Sequence, residues 1–163
     1  MPPLLLRRLQ DFLDAQRIQY EVLDHHEAYT APEVAHTLHV PGKMLAKVVM
    51  VSADGKLLMT VLPSTWQVDL SRLQEVLRAR YVRLASESEF KELFPDCETG
   101  SMPPFGNLYG LDVYVDQCLT EDEEIVVQAG FHSRAVKLRY DDFARAVEPK
   151  IAEFHRSPAE SAY

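Results

Sequence analysis

Leu5, Leu9, Phe12 and Leu13 recur at three- and four-residue intervals, so residues 4–16 should form a helix with one apolar face. Tyr20 to Leu23 reads as a short strand and Asp24-His25-His26-Glu27 as a turn. Thr30, with Glu33 three residues on and Pro32 in the first turn, carries a capping-box pattern, and the helix it opens should stop near Leu38, before Pro41-Gly42. Ala46 to Ser52 and Leu57 to Leu62 are apolar and β-branched, and Asp54-Gly55 between them is a hairpin signal. Asp69 is placed to cap a helix whose inner face would carry Leu70, Leu73, Val76 and Leu77.

Beyond that helix the pattern predicts a strand over Tyr81 to Leu84 and a short helix from Ser86 to Phe94. Gly100-Ser101-Met102-Pro103-Pro104-Phe105-Gly106 breaks both the helical and the strand period and must be a loop. Three further strands are expected over Val113–Val115, Ile125–Val127 and Ala135–Leu138. Asp141-Asp142 opens a last helix carrying Phe143, Ala144 and Val147, which Pro149 should kink or restart toward Phe154, with a frayed tail from Arg156. Short strands and hairpins mixed with helices favour an α/β (α+β) fold with a mixed, largely antiparallel sheet and flanking helices. The length suits a single domain over residues 1–163.

Charge narrows the function. The formal net charge is −8, from 17 Lys+Arg against 25 Asp+Glu. An acidic chain cannot coat a long stretch of nucleic acid, because neutralising phosphates needs a basic surface, although contact with one end stays open. DNA is not an expected partner, and no apolar run approaches the ~18 residues of a membrane span, so a cytoplasmic location is expected. Leu4-Leu5-Leu6 precedes Arg7-Arg8, the reverse of a signal peptide's order. Cys97 and Cys118 form no metal-binding spacing.

The chemistry-bearing motifs each have a plain alternative. His25, His26, His36 and His39 could gather round a metal, but surface or turn histidines are the plainer reading. Ser101, His132 and Asp116 could be assembled into a hydrolase triad, yet no GxSxG elbow surrounds Ser101. Lys47 shares a strand face with Val49 and Val51, so it either snorkels to solvent or points into an apolar-walled cleft. The Gly100–Gly106 loop is either a surface connection or a source of fixed N–H donors for an oxyanion. Gln128-Ala129-Gly130-Phe131-His132 ends a strand and either sets His132 at the sheet rim as a functional group or leaves it in a turn.

Several of these segments, in order, resemble the YbaK/prolyl-tRNA synthetase-associated domain family, and the resemblance implies a domain core at about 19–147. They are His26-Glu27-Ala28-Tyr29-Thr30, Ala46-Lys47-Val48-Val49, Asp54-Gly55 with Leu62-Pro63, Asp69-Leu70, the Gly100–Gly106 loop with Pro103-Pro104, Tyr114-Val115-Asp116 and Ala129-Gly130-Phe131-His132. The resemblance implies a freestanding editing domain that hydrolyses the ester of a mischarged tRNA carrying a small amino acid such as alanine, cysteine, serine or threonine. It implies no metal and no organic cofactor. The implied partners are the tRNA acceptor end and an aminoacyl-tRNA synthetase. The implied catalytic group is Lys47, Gly100, Ser101 and His132, with Lys47 orienting substrate and the loop holding the oxyanion. Tyr29, Thr30, Met102, Pro103, Phe105 and Gly130 would line the substrate site. One alanine-editing subgroup has Asn where this chain has Val48, and the cysteine-editing subgroup lacks the histidine at His132, so the resemblance by itself sets neither specificity. A non-catalytic module of the same fold, binding a tRNA end or a protein, is the alternative. The acidic run Glu121-Asp122-Glu123-Glu124 would face away from the tRNA.

Overall fold

The computed structural model describes residues 6–24, 31–38, 41–98 and 100–156. Among these residues, five α-helices span Arg7–Ala15 (α1), Ala31–Leu38 (α2), Leu70–Leu77 (α3), Glu87–Phe90 (α4) and Tyr140–Val147 (α5). The strands are Tyr20–Asp24 (β1), Leu45–Ala53 (β2), Lys56–Pro63 (β3), Gln67–Val68 (β4), Val82–Leu84 (β5), Val113–Asp116 (β6), Glu124–Gln128 (β7), Arg134–Arg139 (β8), Lys150–Ala152 (β9) and His155–Arg156 (β10).

Seven strands run in the order β1-β8-β7-β2-β3-β6-β9, β5 also pairs with β2, and β4 with β10 makes a separate ribbon. The sheet is mixed. The β2–β3, β2–β5, β7–β8 and β1–β8 pairs are antiparallel, and β2–β7, β3–β6 and β6–β9 are parallel. Local chemistry sets the joints. Asp54 and Gly55 both take positive φ, at 50° and 85°, as a tight hairpin requires. The Asp69 carboxylate accepts from the backbone N–H groups of Ser71 and Arg72 and so caps α3.

One edge of β2 is shared. β7 pairs with its start at Leu45 and Ala46, and β5 with its end at Val51–Ala53. Among the described residues, no strand pairs with Lys47–Val49 on that edge. The sheet therefore opens there, next to a lysine.

The two sheet faces are covered differently. On one, α1 and α5 pack over Ala46, Met50, Val61, Val115, Ile125, Val127 and Val136 in one continuous core. Phe105 lies at its centre, fully buried, with its ring 5.9 Å from Phe12 and 5.3 Å from Phe143 in edge-to-face contacts. On the other face the apolar residues divide. Val34 and Ala35 of α2 cover Leu45, Val126 and Ala135, while Leu73 of α3 and Phe154 cover Val51, Leu58 and Leu62.

Three expectations are corrected. Val76 is 40% exposed, because α3 turns only Leu70, Leu73 and Leu77 toward the sheet. The chain after Pro149 is a strand, since β9 adds to the sheet edge beside β6 instead of prolonging α5. Arg156 is held in β10 by pairing with Gln67, and the expected frayed tail beyond it lies outside the described residues. No described helix is long and apolar enough to cross a membrane.

Candidate functional site

Lys47 occupies the opened stretch of β2 on the divided face, between Leu45 in one apolar cluster and Val49 in the other. It lines a cavity of about 470 Å³ together with Val49, Gln67, Val68, Asp69, Leu70, Ser71, Leu84 and Arg156. Of the two positions that strand alternation allowed this lysine, the structure shows the apolar-walled cleft. Burial lowers the Lys47 pKa from its ordinary 10.5. No acidic group in the described residues lies within ion-pair distance of its ammonium; the ion pairs among those residues are made by other cations.

The neighbouring strand contributes an amide. Ala46 pairs with Val127 in the parallel register, so one residue further on Lys47 and Gln128 project together from the other face. Gln128 is 8% exposed, and its side-chain oxygen is buried with no hydrogen-bond partner. An unsatisfied buried amide costs about 1–3 kcal/mol, so the open acceptor of Gln128, on the same sheet face as Lys47, is a polar group that the described fold leaves incomplete.

The glycine loop and the end of β7 form a knot of their own. Glu98 N–H donates to the Gly130 carbonyl at 2.8 Å, and Gly130 N–H to the Ser101 carbonyl at 2.9 Å. The His132 N–H donates to the Glu98 carboxylate at 3.1 Å. Gly130 adopts φ +93°, and a Cβ there would stand 3.3 Å from Leu6, so glycine satisfies both a backbone and a packing demand. A Cβ at Gly100 would lie 3.7 Å from the His132 ring, which places those two residues side by side.

Within this knot the expected oxyanion donors are already engaged. Ser101 is fully buried, its N–H donates to the Glu98 carbonyl at 3.1 Å, and its hydroxyl donates to the same oxygen at 2.8 Å. Ser101 therefore staples the loop in this conformation instead of presenting a donor. Among the described residues, Gly100 N–H meets only the Met102 sulfur, at 3.4 Å, a weak acceptor that a charged oxygen would outcompete. Met102 and Phe105, expected as pocket walls, belong to the continuous core, and Pro103 is buried beside them. The two prolines and Phe105 sink the loop into the core, which holds Gly100 at its surface. Tyr29 and Thr30, with His25, His26 and His39, lie outside the described residues.

Asp116 is not paired with His132. Its fully buried carboxylate accepts from His155 Nδ1 at 2.9 Å and from the N–H groups of Cys118 and Phe154, both at 2.9 Å. The Ser101–His132–Asp116 triad is thus not assembled. Asp116, Cys118 and His155 place ligand atoms within 4.8 Å of one another. The carboxylate's donors already tie strand β6 to the C-terminal segment, so the arrangement is a clamp. Burial, the larger effect, with the Asp116 charge pushes the Cys118 thiol up to about 11, and burial pushes Cys97 to about 11 too. Neither is a thiolate nucleophile at neutral pH.

Gln128 and Arg156 were not singled out from the sequence. Gln128 left a signal, as the one polar side chain in Ile-Val-Val-Gln-Ala. Arg156 left none, since its place depends on a two-residue strand whose partner, Gln67, lies 89 positions back in the sequence.

A family model described as the aminoacyl-tRNA editing domain matches residues 25–146. A relative named multifunctional Ser/Thr-tRNA deacylase ProXp-y, from Escherichia coli strain K12, is 32% identical over 100 residues, 61% of this chain and 59% of that protein. A proline--tRNA ligase from Leuconostoc citreum is 31% identical over 104 residues, 61% of this chain and 18% of the ligase. The aligned region thus spans only about three-fifths of the deacylase. The crystal structure of a candidate trans-editing enzyme for prolyl tRNA synthetase superposes with a TM-score of 0.80 at 18% identity, over 96% of this chain and 99% of the other, which establishes the shared fold.

Proposed function

The chain belongs to the aminoacyl-tRNA editing domain family, and on that premise we propose that it is a trans-editing hydrolase that deacylates tRNA mischarged with a small amino acid. The observation that carries the reading is that, among the described residues, the Lys47 ammonium has no carboxylate partner and the buried Gln128 amide oxygen has no donor, both on the opened face of the sheet. A closed structural core has no use for either group.

Editing needs a second site because a synthetase discriminates by only about 1–3 kcal/mol per methylene. A site that admits small acyl groups and hydrolyses them removes the error. Water attacks the ester carbonyl, the C–O bond to the terminal ribose breaks, and the ribose oxygen leaves with a proton. Lys47 orients the substrate and offsets negative charge at its phosphate or at the developing oxyanion. Gly100 N–H, turned from the Met102 sulfur, is the donor we assign to that oxyanion, and His132 beside it places the acyl group or the water. The Gln128 oxygen accepts from the substrate ammonium or from a side-chain hydroxyl. The name of the E. coli relative supports serine and threonine as the first acyl groups to examine. The tRNA acceptor end is the partner in this reading. A synthetase is a second partner, supported by the likeness to a proline--tRNA ligase.

The test is release of labelled amino acid from tRNAs charged with serine, threonine, alanine or cysteine, the tRNA for proline among them. Hydrolysis of at least one above the buffer rate is expected. No hydrolysis of any, at protein excess, overturns the reading in favour of a binding module.

A further inference from the structure

The cavity beside Lys47 holds a second cation that the family match does not reach. Arg156 lies ten residues beyond the matched segment, which ends at 146. It enters the cavity because β10 pairs with β4, setting Arg156 opposite Gln67 and His155 opposite Val68. The neighbouring clamp keeps that strand in place. His155 Nδ1 is 2.9 Å from Asp116, the Phe154 N–H donates to the same carboxylate, and the Trp66 ring meets the His155 ring at 4.2 Å. Arg156 is thus delivered by a fixed element and not by a loose end.

Its surroundings are unusual for this chain. Arg7, Arg8, Arg72, Arg83, Arg134, Arg139 and Arg145 each have a carboxylate within ion-pair distance, and Arg17, Arg78 and Arg80, which have none among the described residues, are exposed to water. Arg156 has none among the described residues, and its Nε is buried with no hydrogen-bond partner. A guanidinium half withdrawn from water, in a chain with 25 acidic residues, is left open where one carboxylate would satisfy it. Among the described residues, the only acid lining the cavity is Asp69. Its Oδ1 accepts from the Ser71 and Arg72 N–H groups, and its Oδ2 lies 3.8 Å from the Arg72 guanidinium, so it does not neutralise Arg156. Two cations without a carboxylate partner among the described residues thus face one cavity of about 470 Å³, a size suited to a small ligand. Val49, Val68, Leu70 and Leu84 supply an apolar wall, and Leu84 is 55% exposed there. Planar fork donors beside a point charge, with an apolar wall for a ring, match a nucleotide's phosphate and base.

We propose that Arg156 is a phosphate-binding residue, gripping the backbone of the single-stranded 3′ end of tRNA within the cavity it shares with Lys47. This rests on the deacylase reading for the identity of the ligand. It also accounts for nucleic-acid contact by an acidic protein, because the contact is confined to one cavity.

Equilibrium binding of the RNA trinucleotide CCA, titrated against salt, tests the site without chemistry. Arg156→Gln should weaken binding about tenfold, the scale of one charge-assisted hydrogen bond, and make the salt slope shallower by about 0.7. Arg156→Lys should recover part of the affinity, which a merely structural role would not allow. Arg80→Gln, which removes an exposed arginine away from the cavity, should bind as the parent does. Equal affinity in the parent and Arg156→Gln, or an equal loss in Arg80→Gln, overturns the proposal. In the deacylation assay, Arg156→Gln should raise KM and spare kcat. Its preference for 3′-aminoacyl-adenosine 5′-phosphate over the same ester without phosphate should disappear. Arg156-dependent binding of CCA with no hydrolysis of any aminoacyl-tRNA keeps the phosphate site and overturns the deacylase reading. Hydrolysis with an unchanged KM in Arg156→Gln does the reverse.

Discussion

The two faces of strand β2 are built from alternate residues of one short sequence and do opposite things. Ala46 and Met50 enter a core that runs without a break from α1 to α5 and has Phe105 at its centre. Leu45 and Val51 enter two separate clusters, and Lys47 stands between them, next to a cavity. The closed face stabilises the fold through buried area. The divided face gives up part of that burial and carries polar groups that the fold does not complete. A site of this kind is held in shape by the side of the sheet it does not use. The glycine loop joins them, with Phe105 buried on the closed face and Gly100 beside His132 at the end of β7.

Substitutions can break that division. The largest effect is expected from Phe105→Ala, which should cost about 3–5 kcal/mol by emptying the centre of the closed face. Denaturant unfolding measures it, and the same variant should keep the parent KM at temperatures where it stays folded. A small stability loss with a raised KM would return Phe105 to the pocket wall.

Lys47→Ala should lower deacylation at least tenfold, about 1.4 kcal/mol of transition-state stabilisation, with no loss of melting temperature. Lys47→Met should melt higher than the parent, because it removes a charge that burial disfavours. The pH dependence carries the sign. The folded-state pKa of Lys47 lies below its ordinary 10.5, so between the two values the unfolded chain binds more protons. Parental stability should therefore rise with pH as that window is crossed, and Lys47→Met should lack this rise. A parallel pH profile in the two proteins would show that the lysine is solvated.

Gln128→Met sharpens the contrast further. It should leave stability equal or raised by about 1 kcal/mol, since an unsatisfied buried amide oxygen is removed. It should also narrow the preference for seryl over alanyl ester, read as the ratio of kcat/KM values. Destabilisation with the preference unchanged would make Gln128 structural. Smallest of all, Val76→Ser should change stability by less than about 0.5 kcal/mol, because Val76 is 40% exposed on α3. A loss comparable to that of a buried valine would place α3 with its other side toward the sheet.

What could be read from the chain was local. The Asp54-Gly55 hairpin and the Asp69 cap each depend on residues within a few positions of one another, and both appear where their signals stood. The alternation of Ala46-Lys47-Val48-Val49 likewise determined which residues share a face with Lys47. Readings that depended on distant partners did less well. Met102 and Phe105 were expected as pocket walls from the family resemblance of their loop, and only the aromatic neighbours Phe12 and Phe143 show that Phe105 dives inward. Pro149 looked like a kink in a helix because the edge of β6, which takes up β9, lies some 35 residues back in sequence.

Spacing and turn chemistry thus settled the elements and the faces of their side chains, since those follow from backbone sterics and periods of 2 and 3.6 residues. The tertiary structure alone decided which side chains lack partners. A lysine, a glutamine oxygen and an arginine are chemically ordinary in the chain. They become a candidate site because β7 and β5 part around Lys47 and β10 brings Arg156 to the same cavity. Whether a polar group is satisfied is a property of everything packed around it, and no short stretch of sequence contains that information.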